Sequence, residues 1–263
     1  MTRPFILLCN DDGIYAPGMK ALWESLSKAD LFDIAIIAPA AERSGTGCAI
    51  TWTRPLLVKK VPWEGKTQAW SIDGCPADCI KLGLSIVLDR QPDLIVSGIN
   101  AGSNAGRNVL HSGTIGAVIE GVLRGIPGIA LSCEDDQNPN YHIAEKYVTS
   151  LVQYILAHPL DEGSFLNVNF PKAALHDIEG FKLTRQGMGR WVEDPSLHTE
   201  TDHGPTYWLG GKPEERAEDP ECDITLLKQG YLTAAPIHVH ELSDKKALSE
   251  RQEHFSTFFA PVG

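Results

Sequence analysis

Apolar residues along this chain fall into short continuous runs separated by stretches of helical spacing. Phe5-Ile-Leu-Leu-Cys9, Asp33-Ile-Ala-Ile-Ile-Ala38, Asp93-Leu-Ile-Val-Ser97 and Ile129-Ala-Leu-Ser132 have the length of strands and are apolar enough to be covered on both faces. Between them, Met19, Leu22, Trp23 and Leu26 share one helical face, and Cys79–Leu88 reads as a helix with Ile80, Leu84, Val87 and Leu88 apolar. Ile115, Val118, Ile119, Val122 and Leu123 form a second helical stripe, closed by Gly125 and Pro127. Further β-rich runs lie around Ile50–Trp52, Leu56–Val58 and Ala69–Ile72. The alternation through residues 1–132 predicts βαβ units and a mainly parallel, doubly wound sheet.

The pattern then changes. Tyr147–Ala157 reads as a helix, Phe165–Phe170 and Phe181–Thr184 as strands, and Thr225–Ile237 as renewed strand sequence. Residues 187–223 are rich in Gly, Pro and charge and carry little periodicity. A loop of that length in a compact domain is usually functional or contacts another subunit. Tyr207-Trp-Leu209 inside it suggests a hairpin or arm with an apolar anchor. Trp191, Tyr207 and Trp208 suit either a subunit interface or a stacked base, the interface being favoured. The expected organisation is a catalytic core over residues 1–186 and a C-terminal arm with closing strands and helix over 187–263, serving oligomerisation without being an independent domain.

Charge narrows the partners. The net charge is −11, and residues 193–223 hold ten acidic against two basic side chains, which is −8 from this one segment. No basic stripe is available to neutralise a polyphosphate backbone, which argues against a dedicated nucleic-acid binder. No apolar stretch approaches the roughly 20 residues of a membrane span. The first strand follows Met1-Thr-Arg-Pro directly, leaving no room for a signal peptide, so a cytoplasmic location is expected. Six scattered cysteines, with only a Cys75-x3-Cys79 pair, read as reduced thiols and not as a zinc site.

The candidate chemistry sits at strand ends. Asn10-Asp11-Asp12-Gly13 ends the first strand, Glu42-Arg43-Ser44-Gly45-Thr46-Gly47 follows the second, and Ser97-Gly98-Ile99-Asn100 ends the third. In a parallel sheet these ends share one edge, where such folds bind their ligands. Two adjacent carboxylates, a hydroxyl and a carboxamide make an all-oxygen set, suited to Mg²⁺, Mn²⁺ or Ca²⁺ and not to zinc or copper. Downstream, Ala101-Gly-Ser-Asn-Ala-Gly106 precedes Ser112-Gly-Thr114, which directly opens the apolar-striped helix. Ser112 or Thr114 suits a plain N-cap. A glycine-flanked helix N-terminus also suits a phosphate, and beside a divalent cation that layout points to a phosphate ester.

These stretches resemble the SurE survival-protein nucleotidases. The resemblance rests on Asn10-Asp-Asp-Gly13, Arg43-Ser-Gly45, Ser97-Gly-Ile-Asn-Ala-Gly-Ser-Asn-Ala-Gly106 and Ser112-Gly-Thr-Ile-Gly116. Pro76-Ala-Asp78, Leu166-Asn-Val-Asn-Phe-Pro171 and Thr184-Arg-Gln-Gly187 extend it, so that it covers roughly residues 5–235. It implies a doubly wound, mainly parallel Rossmann-like α/β sheet with a C-terminal β-rich oligomerisation extension. It also implies a metal-dependent phosphomonoesterase for nucleoside 5′- and 3′-monophosphates, with cleavage of short polyphosphate left open. By the same resemblance one divalent cation per subunit, Mg²⁺ or Mn²⁺, falls to Asp11, Asp12, Ser44 and Asn100. Phosphate contacts fall to Asn104, Ser112, Gly113 and Thr114, and the assembly is a homodimer or homotetramer exchanging C-terminal elements. Asp11 or Asp12 would position the attacking water. The alternatives are a metal-dependent deacetylase, which normally adds histidines absent beside Asp11-Asp12, and a nucleotide-sensing module that binds without turnover. The chain departs from the family at His111, where Tyr is usual, and at Pro236-Ile-His-Val-His-Glu241.

Overall fold

The computed structural model describes residues 3–214 and 216–259. The chain begins with β1 (Phe5–Cys9), α1 (Pro17–Ala29), β2 (Asp33–Pro39), β3 (Val58–Val61), β4 (Gln68–Ile72) and α2 (Pro76–Leu82). It continues through β5 (Leu94–Ala101), α3 (Gly113–Val122), β6 (Gly128–Cys133), α4 (Tyr141–Ala157), β7 (Ser164–Phe170) and β8 (Gly180–Leu183). The last part holds β9 (Trp191–Val192), β10 (Ser196–Thr201), β11 (Gly204–Trp208), β12 (Lys212–Pro213), α5 (Asp223–Lys228), β13 (Tyr231–His238) and α6 (Lys245–Phe258).

Nine strands form one sheet in the order β3-β4-β2-β1-β5-β6-β7-β13-β8. Pairing is parallel except for β3 with β4 and β13 with β7, which bears out the doubly wound, mainly parallel α/β architecture. The alternation of side chains along each strand explains its two covered faces. On β1, Ile6 and Leu8 join a core with Met19, Leu22, Leu26, Val148 and Ile155 from α1 and α4. Phe5, Leu7 and Cys9 point the other way, to Cys79, Ile80 and Ala117 from α2 and α3. The chain runs from β1 outward to β2, then returns to place β5 on the opposite side of β1. The strand order therefore reverses between β1 and β5, and a crevice opens there at their carboxyl ends.

Three sequence expectations need correction. Ile50–Trp52 is an exposed loop: the Thr51 N–H and hydroxyl both bond the Asp78 carboxylate, at 2.9 and 2.7 Å, so this backbone is tied to a side chain instead of a ladder. The predicted helix Cys79–Leu88 begins earlier, at Pro76, and widens into a π-helical turn at Gly83–Val87. Thr225–Lys228 is helical, because Leu226 and Leu227 are buried together, and the strand begins only at Tyr231, pairing first with β8 and from Thr233 also with β7. The 187–223 region contains the expected hairpin, β10 with β11, and a second short pair, β9 with β12.

The crevice depends on a close approach of α3 to the loop after β2. A Cβ on Gly116 would overlap the Gly47 carbonyl oxygen, which is backbone and has little room to yield. Gly116→Ala is expected to destabilise the fold by about 1–3 kcal/mol, the usual cost of overpacking a tight contact. Urea unfolding with the wild-type slope but a lower midpoint would show it; an unchanged midpoint would refute the contact.

Candidate active site

Asp11 and Asp12 lie just past the end of β1, and Asn100 lies near the end of β5, on the two strands that flank the reversal. The turn between them is held by the Asn10 amide, which donates to the Gly13 carbonyl at 2.9 Å, and by Ile14 N–H to Pro39 O at 2.9 Å. Arg43 N–H donates to the Asp11 carbonyl at 2.7 Å, drawing the Ser44 loop alongside.

The two carboxylates are not equivalent. Asp11 is buried, and its carboxylate accepts the Thr114 hydroxyl. Burial raises its pKa, opposed by that hydroxyl and by the Thr114 and Gly113 backbone N–H groups at the start of α3. A Cβ on Gly113 would sit 2.7 Å from Asp11 Cβ, so only glycine lets the helix come this close. Asp12 is half-buried, and its Oδ2 accepts the Ala101 N–H at 3.4 Å. Its pKa is pushed up to about 6, first by burial and then by the charge of Asp11.

A cleft of about 880 Å³ opens over this corner, lined by Asp11, Ser44, Asn100, Asn104 and Ser112 among others. Asp12 lies beside Asp11 but is not among the lining residues. The exposed Ser44 hydroxyl donates to Glu42 at 2.8 Å. Asn100 Nδ2 donates to the Gly102 carbonyl at 2.7 Å, which leaves its Oδ1 as an acceptor. Paired carboxylates whose ionisation is resisted by burial, with a carboxamide oxygen and a hydroxyl nearby, fit a hard divalent cation. Among the described residues there is no group of three or more His, Cys, Asp and Glu side chains placed to bind a metal, so a cation here would rely on the Asn100 amide oxygen and the Ser44 hydroxyl beside the two carboxylates.

The sequence motif Ser112-Gly-Thr114 divides in the structure. Ser112 caps α3 by accepting the Ile115 N–H at 3.3 Å, and it lines the cleft. Gly113 and Thr114 are buried beneath it and face Asp11. The helix N-terminus that the sequence reading offered to a phosphate therefore stabilises the Asp11 carboxylate. Asn104 also lines the cleft, with its amide donating to Ser132 at 2.7 Å and its backbone N–H to Asn169 at 2.8 Å.

The other cleft wall comes from the arm. Trp191 lines it, together with Arg190, Arg216 and Lys228, whereas Tyr207 and Trp208 do not. His111 also lines the cleft, beside Ser112. Sequence reasoning missed the residues that dock this wall: Gln186, whose amide donates to the Asn104 and Gly106 carbonyls, and Asp223, which accepts the Gly106 and Gly187 N–H groups. The Thr184-Arg-Gln-Gly187 stretch carried a signal for Gln186, and none pointed to Asp223.

A family model for survival protein SurE matches residues 6–193. The chain belongs to the SurE family. It is 45% identical over 259 residues to the 5′-nucleotidase SurE of Protochlamydia amoebophila, covering 98% of each chain. It is 37% identical over 243 residues to the 5′-nucleotidase SurE of Syntrophus aciditrophicus, covering 92% of this chain and 90% of that one. The crystal structure of the SurE protein from Aquifex aeolicus superposes with a TM-score of 0.79 at 33% identity, over 96% of this chain and all of the other. Family membership accounts for the recurrence of the fold.

The donor set predicts a thermal readout independent of turnover. Mn²⁺ at about 100 times its Kd should stabilise the wild type by about 2.7 kcal/mol. That corresponds to a Tm rise of about 5–10 °C for a domain of this size. Asp12→Asn should largely lose this response while raising the metal-free Tm, since one of two mutually repelling carboxylates is gone. An equal Mn²⁺ response in both proteins would remove Asp12 from the set.

Proposed function

We propose that this chain is a divalent-cation-dependent phosphomonoesterase that hydrolyses nucleoside 5′- and 3′-monophosphates to nucleoside and phosphate. The observation that carries the reading is the unequal carboxylate pair at the β1/β5 reversal, of which Asp11 lines a cleft large enough for a nucleotide and Asp12 lies directly beside it. The 5′-nucleotidase names of relatives at 45% and 37% identity support it. In this reading Asp11, Asp12, Ser44 and Asn100 hold one Mg²⁺ or Mn²⁺ per subunit. When bound, the cation polarises a phosphoryl oxygen and lowers the pKa of a bound water.

The remaining roles follow from what each side chain already does. Asp11 is committed to Thr114 and to the start of α3, so it serves as a fixed ligand. Asp12 has no such clamp and positions the attacking water on its carboxylate. Asn104 and Ser112 face the cleft and take the phosphate oxygens, while Gly113 and Thr114 hold the carboxylate behind them. Water adds to phosphorus, the ester P–O bond breaks, and the proton from water ends on the leaving hydroxyl, giving nucleoside and phosphate. Short polyphosphate fits the same chemistry as a second substrate.

We divide the chain into a catalytic core over 1–186 and a C-terminal arm with closing strands and helix over 187–263, in which β13 completes the central sheet while the β10–β11 hairpin and α6 serve assembly. The arm exposes Leu197, Tyr207, Trp208 and Leu209 on or beside the hairpin, and α6 buries no residue while exposing Leu248, Phe255 and Phe258. Such apolar surface suits pairing with further copies of this chain, as a homodimer or homotetramer. No helix among the described residues is long and apolar enough to cross a membrane. The cellular setting we assign is the cytoplasm, in keeping with cysteines that form no disulfide.

The test is phosphate release from a panel of 5′- and 3′-nucleotides with Mg²⁺, with Mn²⁺ and with EDTA. Metal-dependent release is expected, and Asp12→Asn should lower kcat by at least ~100-fold in a folded protein. Metal-dependent nucleotide binding without release would instead identify a sensing module. Replacing residues 194–209 by a short Gly-Ser linker should shift the light-scattering mass toward monomer; an unchanged mass would take the hairpin out of the interface.

A further inference from the structure

The cleft wall formed by the root of the arm and α5 meets the glycine loop around one buried acid. Asp223 opens α5 and is fully buried, and among the described residues no basic side chain bonds it. Its Oδ1 accepts the Gly187 N–H at 2.7 Å and the Ile224 N–H at 2.8 Å. Its Oδ2 accepts the Gly106 N–H at 3.0 Å, across 117 residues of chain. One oxygen therefore holds the root of the arm and the other holds the end of the glycine loop, at Gly106. Three backbone N–H donors make this an energetically reasonable place for a buried carboxylate.

The same junction is tied at several further points. Gln186 donates its amide to the Asn104 and Gly106 carbonyls. Arg107 N–H donates to Gly189 O at 2.7 Å, and Trp191 N–H to Asn108 Oδ1 at 2.9 Å. Gly106 has φ +63°, and a Cβ there would overlap the Gly189 carbonyl, so the two backbones meet with nothing between them. Ile224, Leu227 and Lys228, next to Asp223 on α5, line the cleft, as do Gly189 and Trp191. The spacing between this wall and Asn104 is thus set where Asp223 sits.

We infer that Asp223 is a positioning residue that fixes the nucleoside side of the cleft and so determines affinity for the nucleoside part of the substrate, not the phosphoryl chemistry. This rests on the nucleotidase reading above for its substrate class. The phosphoryl end is held by β1, β5 and α3, none of which bonds Asp223, and Asn104 keeps its own anchors on the sheet, its side-chain amide donating to Ser132 and its N–H to Asn169. A small phosphate ester that does not reach the arm should therefore be indifferent to it.

The experiment compares the wild type with Asp223→Asn, in which an amide must turn a donor toward Gly106 or toward Gly187 and Ile224. Gln186→Ala is the second variant, should Asp223→Asn not fold. For a nucleoside 5′-monophosphate, kcat/KM is expected to fall by roughly 10-fold, mainly through KM. For phenyl phosphate it should change by less than about twofold, with the Mn²⁺-induced Tm rise unaltered. Equal losses on both substrates would mark Asp223 as merely structural, and no loss on either would also overturn the inference. Calorimetric binding of the nucleotide and of inorganic phosphate, with Mn²⁺ present, separates this from the parent reading. If the wild type releases no phosphate, the nucleotidase reading falls, while selective weakening of nucleotide binding in the variants still upholds the role of Asp223. A wild type that does not bind nucleotide at all overturns both.

Discussion

The contact between Asp11 and the first turn of α3 is the constraint on which the site depends. A buried carboxylate is costly unless donors meet it. Here the Thr114 hydroxyl and the N–H groups at the helix start provide them, at the positive end of the helix dipole. Gly113 is required because a side chain there would collide with Asp11 itself. Once Asp11 is held, its neighbour Asp12 is left half-buried beside a fixed negative charge, and its raised pKa follows. The pair is then a place where a divalent cation relieves an electrostatic cost that the fold has already incurred.

The rest of the corner is built around that contact. Gly116 lets α3 approach Gly47, and Gly47 N–H donates to the His111 carbonyl at 2.9 Å, which brings the Ser44 loop against the turn before α3. Asn169 on β7 accepts the Asn104 N–H and the Ser103 hydroxyl, holding the glycine loop over the sheet. The polar residues buried in β6 and β7, Ser132, Asn167 and Asn169, thus carry the loop and do not pack as apolar strand residues would. Buried side-chain amides of this kind are retained where they position something.

Much of the fold was legible because strand-length apolar runs and a helical stripe are local signals. β1, β2, β6 and β7 coincide with their apolar runs to within a residue or two, and the stripe from Ile115 to Val122 is α3. The errors arose where a distant side chain competed with local preference. Asp78 took the Thr51 backbone away from strand pairing. Asp223 anchored the segment that became α5, although Thr225–Ile237 had the look of one strand.

By itself the sequence determined that Asp11, Asp12, Ser44 and Asn100 stand at or beyond the ends of three buried strands, because alternating buried strands and helices place such ends on one edge. It also determined the all-oxygen character of that set. Only the tertiary structure decided that β1 and β5 are the neighbours flanking the reversal, and that the start of α3 serves Asp11 before any ligand. It alone decided that the arm returns to close the cleft over Gly106. The reason is physical: these contacts join residues 103 and 117 positions apart. Such pairings are chosen by the burial of whole elements, and no local pattern of hydrophobic and polar positions records them.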